Sequence, residues 1–308
     1  MGKTALGLSV ARRAGGEIVV ADSMQVYRGM DAGTGKPTAA ERRAVKHHLL
    51  DCCNPRDTFS ASEFAVRAQV LVEEIRRRGR APIIVGGSGL YLRAFLKGRL
   101  AGPGGNPVIR VRLRQEGERL GPRALHDRLA GVDPATAARI HPHDVFRVVR
   151  ALELFESTGQ RPSEIRRDLW GSPPSSPVNM LVLTRERAEL DRLIDERARI
   201  MWKGGLVDEV RRLLNEGVAP DLPAFKSLGY RQALACLQGH LTEAEALSAM
   251  QRATRRYARR QLVWFRRELA AEWRTVRGWD WVEGLAEQLA VSLAEQQSAA
   301  ESRMPKVE

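Results

Sequence analysis

The chain has 308 residues, 43% of them hydrophobic, and carries a net charge of +13. That length suits one large α/β domain, or one with a smaller insert, and the hydrophobic share is ordinary for a folded soluble protein. The excess of Arg and Lys favours a polyanionic partner, nucleic acid before an anionic membrane, against the plainer alternative of a solvated basic surface. No apolar run spans a bilayer, and the start lacks a basic-then-apolar secretion signal. Three cysteines, with Cys52 and Cys53 adjacent and Cys236 alone in an apolar helical pattern, provide neither a disulfide framework nor a paired Cys-x-x-Cys zinc site. A reducing compartment, the cytoplasm, is expected.

The first third alternates helical patterns with short apolar runs. Met1-Gly2-Lys3-Thr4 leads into a helical pattern through Leu6, Val10 and Ala14, and Glu17 to Ala21 reads as a strand. His47 to Asp51 is a weaker strand, and Pro82 to Gly86 a strong one. Between them Ser60-Ala61-Ser62-Glu63 forms a capping box, opening a helix through Phe64, Val70, Leu71 and Ile75 that stops at Gly79. Strand–helix–strand alternation implies a parallel sheet. Two Gly/Pro-rich breaks, Ala101 to Pro107 and Gly171 to Pro177, bracket a region of helical pattern with turns at Gly121-Pro122, Asp133-Pro134 and His141-Pro142. This predicts a core of residues 1–100 and 178–295 carrying a helical insert at 101–177. Met180 to Leu183 reads as a further buried strand of the sheet. Helices follow, and the chain is expected to fray over 296–308.

Gly2-Lys3-Thr4 before a helix matches the end of a phosphate-binding loop. There, backbone N–H groups and the helix N-terminus hold phosphate, Lys adds a point charge and Thr ligates Mg²⁺. The loop's first glycine and its feeding strand would lie before residue 1, so weak diphosphate binding and a tendency to aggregate are expected of residues 1–308 alone. Asp22 immediately follows one strand, and Gly86-Gly87-Ser88-Gly89-Leu90-Tyr91 ends another. In a parallel sheet the carboxyl ends of the strands line one crevice, which brings Lys3, Thr4, Asp22 and Ser88 together. Taken singly, Asp22 also suits a helix N-cap, and Ser88 a plain turn residue.

These motifs resemble the tRNA dimethylallyltransferase family. The resemblance runs through Asp22 to Asp31, Gly33-Thr34-Gly35-Lys36-Pro37, Val85 to Tyr91, Arg139 to Asp144, Arg147 to Glu153, Gly229-Tyr230-Arg231-Gln232 and Arg259 to Phe265. Position 88 is Ser where many members carry Thr, which keeps the hydroxyl. The resemblance is to bacterial members, since the Cys/His zinc module of the eukaryotic type is not seen. It implies an α/β fold of the P-loop NTPase type, a parallel sheet flanked by helices with a small all-helical insert.

It further implies transfer of a dimethylallyl group from dimethylallyl diphosphate to the exocyclic amine of the adenosine adjacent to the anticodon. Asp22 would be the general base, and Ser88 would hold adenine and base in line. Gly2, Lys3, Thr4 with Mg²⁺, and Arg197 would take the diphosphate; without the resemblance, Arg197 reads as an i,i+4 surface partner of an acidic neighbour. The residues implied to meet the tRNA anticodon stem-loop are Asp22, Ser23, Met24, Gln25, Ser88 and Arg110; Phe146, Arg147, Val148, Val149 and Arg150; Lys226, Ser227, Leu228, Gly229, Tyr230 and Arg231; and Arg259, Arg260, Gln261, Leu262, Val263, Trp264, Phe265 and Arg266.

Helical spacing separately places Arg252, Arg255, Arg256, Arg259, Arg260, Arg266 and Arg267 on one face, opposite Tyr257, Gln261, Trp264 and Phe265. With the overall charge, that face is expected to contact RNA phosphates. His141 and His143 are assigned to a turn, and a monomer is expected. Three alternatives stay open: a prenyltransferase acting on free adenylates, a small-molecule kinase, and a catalytically impaired tRNA-binding protein.

Overall fold

A computed structural model describes residues 2–97, 105–168, 178–268 and 271–301. Most of the two Gly/Pro-rich breaks (101–104 and 171–177), Met1 and the end of the tail (302–308) lie outside the described residues. The chain divides into two compact units, Met1–Leu96 with Ser176–Glu308, and Lys97–Ser175.

In the first unit, helix α1 (Lys3–Arg13) leads to strand β1 (Glu17–Ala21), whose five residues are all buried. Strand periodicity sends Ile18 and Val20 to one face and Val19 and Ala21 to the other. The former pack with Ala11 of α1 and Val45, the latter with Phe64, Ala68 and Ile75. This is why a continuous β-branched run works here: both faces of the strand are covered by helices. Helix α2 (Ala39–Ala44) and the two-residue strand β2 (His47–His48) follow, then α3 (Ala61–Arg77), β3 (Pro82–Gly86) and α4 (Gly89–Leu96). β2 and β3 flank β1, both parallel, with Ile18 opposite Ile83.

Ser60 caps α3 by accepting the Glu63 N–H at 3.1 Å, while the Glu63 carboxylate pairs with Arg67. Phe64, Ala68, Val72 and Ile75 form the buried stripe of α3, and Val70 faces outward at 53% exposure, contrary to its predicted place in the core. The weak strand at His47 to Asp51 is cut to two residues, because Leu49 and Asp51 adopt left-handed backbone (φ 57° and 53°). The Asp51 carboxylate there receives Lys36 and Arg42.

The second unit is all-helical: α5 (Pro107–Leu120), α6 (Pro122–Val132), α7 (Pro134–Ala137), α8 (Val145–Thr158) and α9 (Pro162–Asp168). Leu113, Leu125, Leu129, Val148 and Leu152 make its core. Buried Asp133 ties its turns together, accepting from the Thr136 N–H (3.0 Å), the Thr136 hydroxyl (2.7 Å) and the Ser163 N–H (2.7 Å).

Back in the first unit, β4 (Leu181–Thr184) departs from expectation. It does not hydrogen-bond to the β2–β1–β3 sheet but pairs in parallel with β5 (Glu272–Thr275) in a separate two-stranded sheet. β5 was not visible in the sequence because it is largely exposed and charged, held by backbone bonds rather than an apolar face. Helices α10 (Arg187–Met201) and α11 (Val207–Asn215) meet at a kink over Trp202–Leu206, where Gly205 has φ 93°. α12 (Tyr230–Leu237), α13 (Glu243–Glu268) and α14 (Trp279–Glu301) complete the unit. α1 joins the two sheets through Leu6 and Val10, which cluster with Leu183, Val276, Val282 and Leu285. α14 runs to Glu301, and the rest of the tail expected to fray, 302–308, lies outside the described residues. Among the described residues, no helix is long and apolar enough to cross a membrane.

Candidate active site

Helix α1 starts beside the carboxyl ends of β1 and β3, and the cleft there is lined by Lys3, Thr4, Asp22, Gln25, Val85 and Gly86, among others. Gly2 caps α1 at φ 86° with no side-chain bond. The first intrahelical bond runs from the Leu6 N–H to the Gly2 carbonyl. The N–H groups before it have no helical acceptor, so the turn is electropositive and suited to an anion.

Asp22 leaves the end of β1 and makes a short turn, its Oδ1 accepting from the Met24 N–H at 2.9 Å and the Gln25 N–H at 3.4 Å. Ser88, from the end of β3, fixes that turn: its Oγ accepts the Ser23 N–H at 2.9 Å and donates to the Ser23 hydroxyl at 3.2 Å. Ser88 thus acts on the neighbour of Asp22. The carboxylate is presented by two strand ends stitched together.

Two cations face it. Burial pushes the Lys3 ammonium below its ordinary range, with Asp22 opposing the shift and Arg197 adding to it. Burial likewise lowers Arg197, with Asp22 opposing. Two positive side chains thus stand near one carboxylate, Lys3 lining the cleft and Arg197 on its exposed side, an arrangement that favours an arriving anion. Arg197 reaches in from α10 over the backbone of Gly35. That residue has φ 61°, which favours glycine, and a Cβ there would push the Arg197 guanidinium from its place.

Helix α13 closes another side. Gln261 donates from Nε2 to the Gly87 carbonyl at 2.7 Å, and the Trp264 ring lies where a Cβ on Gly89 would sit. Burial raises the Tyr257 phenol, and Asp22 adds to the rise. The expected division of α13 into an RNA-facing arginine face and an aromatic core face needs correction. Arg255 and Arg259 pair with Asp195 and Asp191 of α10, Arg259 at 3.0 Å, and Gln261 and Trp264 hold the Gly87–Gly89 loop. Arg260 lies over the Tyr257 ring and Arg266 over Trp273, both with their charged ends exposed.

The remaining residues expected at the tRNA divide by burial. Lys226, Arg231, Val263 and Arg147 are exposed, as is Phe146 at 72%; Leu228 and Leu262 are half-buried. Ser227 is half-buried and donates to the Ala224 carbonyl. Arg110 and Arg150 clamp the fully buried Glu153, and each Arg side chain is partly exposed. Val148 and Val149 fill the insert core, Phe265 and Gly229 are buried, and Gln25 spends its amide on the Thr34 and Gly35 carbonyls. Tyr230 is wholly buried, its hydroxyl donating to Glu209 and accepting from the Gly33 N–H. Apart from Gln25, which lines the cleft, these residues pack or brace the fold. His141 accepts the His143 N–H in a turn, as expected.

Glu209 escaped the sequence reading. It lies on α11 among ordinary surface charges, and only tertiary contacts reveal its partners. No group of three or more His, Cys, Asp or Glu among the described residues could hold a metal by itself.

A protein-family model described as IPP transferase matches residues 25–268. The chain is 48% identical over 297 residues to a tRNA dimethylallyltransferase of Thermomicrobium roseum, covering 96% of this chain and 89% of the relative. It is 49% identical over 275 residues to one from Anaeromyxobacter sp., covering 88% and 90%. Among solved structures, the full-length tRNA isopentenylpyrophosphate transferase of Bacillus halodurans superposes with TM-score 0.69 at 37% identity, covering 98% of this chain and 96% of that one. A eukaryotic dimethylallyltransferase shares the fold at 24% identity, TM-score 0.78, covering 100% of this chain and 78% of that one.

Proposed function

The chain belongs to the IPP transferase family, and from that premise we propose that its cleft moves the dimethylallyl group of dimethylallyl diphosphate onto the exocyclic amine of the adenosine adjacent to the anticodon of tRNA. It is an enzyme of tRNA modification in an α/β fold of the P-loop type. The observation that carries the reading is the grouping of Asp22 with Lys3 and Thr4 in one cleft at the N-terminus of α1, with the exposed Arg197 within electrostatic reach of Asp22.

The adenine amine is a weak nucleophile because its lone pair is delocalised into the ring. Asp22 accepts its proton as the new C–N bond forms, its orientation set by the turn that Ser88 pins. The C–O bond to diphosphate breaks, and negative charge grows on the departing group. Lys3, Arg197 and the free N–H groups of α1 stabilise that charge. Thr4 lines the same cleft and its hydroxyl is the protein ligand that would hold Mg²⁺, with phosphate oxygens and water completing the shell. When bound, the ion would neutralise diphosphate charge.

The target base leaves its stack to reach the cleft. Lys226, Arg231, Arg260 and Arg266 in the first unit, and Phe146, Arg147, Arg110 and Arg150 in the insert, are the side chains whose exposure suits the anticodon stem-loop. A single copy of the chain in the cytoplasm suffices for this scheme. Mass spectrometry of tRNA nucleosides after incubation with dimethylallyl diphosphate tests it. A prenyl mass gain on one adenosine is expected, and modification of free AMP with none on tRNA would contradict it.

A further inference from the structure

The segment from Asp31 to Gly35 touches both halves of the cleft. Its Thr34 and Gly35 carbonyls accept the Gln25 amide at 3.1 and 3.3 Å, and Gln25 belongs to the turn made by Asp22. The Gly35 backbone underlies the Arg197 guanidinium. Besides these bonds and the Lys36–Asp31 pair at 2.7 Å, the backbone N–H groups of the segment converge on one carboxylate. Oε2 of Glu209 accepts the Asp31 and Ala32 N–H groups, each at 2.9 Å. Oε1 accepts the Tyr230 hydroxyl, which in turn accepts the Gly33 N–H at 3.3 Å. Three consecutive backbone donors are thus fixed by one Glu–Tyr pair.

The kink at Gly204 and Gly205 lets adjoining helices reach the same segment, α10 with Arg197 and α11 with Glu209. Arg212, one turn on, adds a bond to the Gly29 carbonyl at 2.6 Å. Burial and the neighbouring Glu209 charge push the Tyr230 phenol up, so it stays protonated and a donor at neutral pH. Most loop–helix contacts would be satisfied by water if loosened. Here exposed Asp31 could likewise turn to water, whereas the N–H groups of half-buried Ala32 and Gly33 would lose their acceptors with less access to solvent.

We infer that Glu209, with Tyr230 as its partner, is a positioning residue for the transfer reaction, holding residues 31–35 so that the Asp22 turn and Arg197 keep their mutual placement. The inference rests on the assignment of Asp22 and Arg197 given above. Glu209 itself touches no reacting atom; it acts through the backbone it holds.

The test compares Glu209→Ala, Glu209→Gln, Tyr230→Phe, the Glu209→Ala/Tyr230→Phe double variant, Arg197→Ala and Arg197→Ala/Glu209→Ala in the full chain. The readouts are kcat, KM for tRNA, inorganic pyrophosphate affinity by calorimetry, and thermal midpoint. Glu209→Ala is expected to lower kcat and pyrophosphate affinity about tenfold each while KM for tRNA stays within about twofold. Glu209→Gln should recover most of both, because its amide oxygen still accepts the two N–H groups. Tyr230→Phe should fall between, and the double variant should be no worse than Glu209→Ala, as expected of residues acting as one unit. In the Arg197→Ala background, Glu209→Ala should cost no further pyrophosphate affinity.

A lower midpoint with kcat and pyrophosphate affinity unchanged would overturn the proposal, as would failure of Glu209→Gln to rescue. Full persistence of the pyrophosphate loss without Arg197 would also overturn it. Failure of the underlying assignment has a different signature: Arg197→Ala by itself would leave pyrophosphate affinity intact, and that result overturns both. Should Glu209→Ala not fold, Glu209→Gln and Tyr230→Phe decide, since a kcat equal to wild type in Tyr230→Phe refutes the pairing.

Discussion

Strand β1 carries a carboxylate at each end, and the two are built in opposite ways. Glu17, at the start of the strand, is 2% exposed and saturated: His48 bonds it at 2.6 Å, Arg78 at 2.8 Å, and Arg80 and Lys46 stand within 4.0 Å. Asp22, just past its end, is half-buried, and one oxygen is used in a backbone turn. Among the described residues it closes no ion pair as short as those around Glu17, although Lys3 and Arg197 lie within electrostatic reach. One end spends its charges on itself. The other leaves Asp22 facing Lys3 and Arg197 without closing an ion pair to either among the described residues. A satisfied cluster marks architecture, whereas an unbalanced one marks chemistry, and that difference separates the two ends without reference to any relative.

The largest effect should fall on the unsatisfied end. Asp22→Asn is expected to lower kcat by about 10²–10⁴, the usual contribution of a general base, with both substrates still bound and the thermal midpoint little changed. Single-turnover kinetics at saturating substrates would check it. Arg197→Ala should lower kcat by about 10²-fold and weaken pyrophosphate more than tRNA if its charge serves the leaving group as proposed. Calorimetry with each ligand separates those outcomes.

At the satisfied end the expected loss is in stability. Burial alone would raise the Glu17 carboxyl, but hydrogen bonds from His48 and Arg78 and the nearby positive charges outweigh it and hold it below its ordinary 4.5. A carboxyl depressed on folding contributes stability that is full above its unfolded value and lost as pH falls through the folded one. Glu17→Gln should therefore cost about 2 kcal/mol near neutral pH, since its cationic partners are partly exposed and can rehydrate. The difference from wild type should shrink as pH drops below about 4.5. Denaturant titrations at pH 7 and pH 3.5 measure both.

Two smaller effects sharpen the contrast. Burial depresses Lys3 on folding, and bound diphosphate favours its charged form. Pyrophosphate affinity should accordingly be full below the folded Lys3 pKa and fall as pH rises through it, at a pH under the ordinary 10.5. A pyrophosphate pH profile that is flat up to the lysine range would deny Lys3 that role. On α13, Arg260→Ala should flatten the salt dependence of tRNA binding by about one unit of log–log slope, while Arg259→Ala, whose charge is shared with Asp191, should flatten it less. Equal slopes for the two variants would mean that the α10 ion pair opens on binding.

How much of this was open to a reader of the sequence follows from the range of the forces involved. β1, β3 and the Ser60 cap are local signals of period and capping and emerged nearly residue for residue, while the α3 stripe kept Phe64 and Ile75 but ran through Ala68 and Val72 instead of Val70 and Leu71. The gathering of Lys3, Asp22 and Ser88 followed from parallel strand order alone. Arg197 came only through family resemblance, since its helix reads as a charged surface. The sequence placed Arg255 and Arg259 with the free cations, because their neutralising partners Asp191 and Asp195 lie some 60 residues away. Glu209, Tyr230 and the pairing of β4 with β5 were hidden for the same reason: each is defined by a partner distant in the chain, and no periodicity announces it.

The account's central claim is that the two ends of β1 divide structure from catalysis, and one paired measurement tests it. Thermal midpoint and single-turnover prenyl transfer to tRNA would be recorded on the same preparations of wild type, Glu17→Gln and Asp22→Asn. The account predicts that Glu17→Gln lowers the midpoint and transfers at the wild-type rate below it, while Asp22→Asn keeps the midpoint and loses at least about a hundredfold in rate. An Asp22→Asn rate within a few-fold of wild type, or a Glu17→Gln protein as slow as Asp22→Asn, would contradict it.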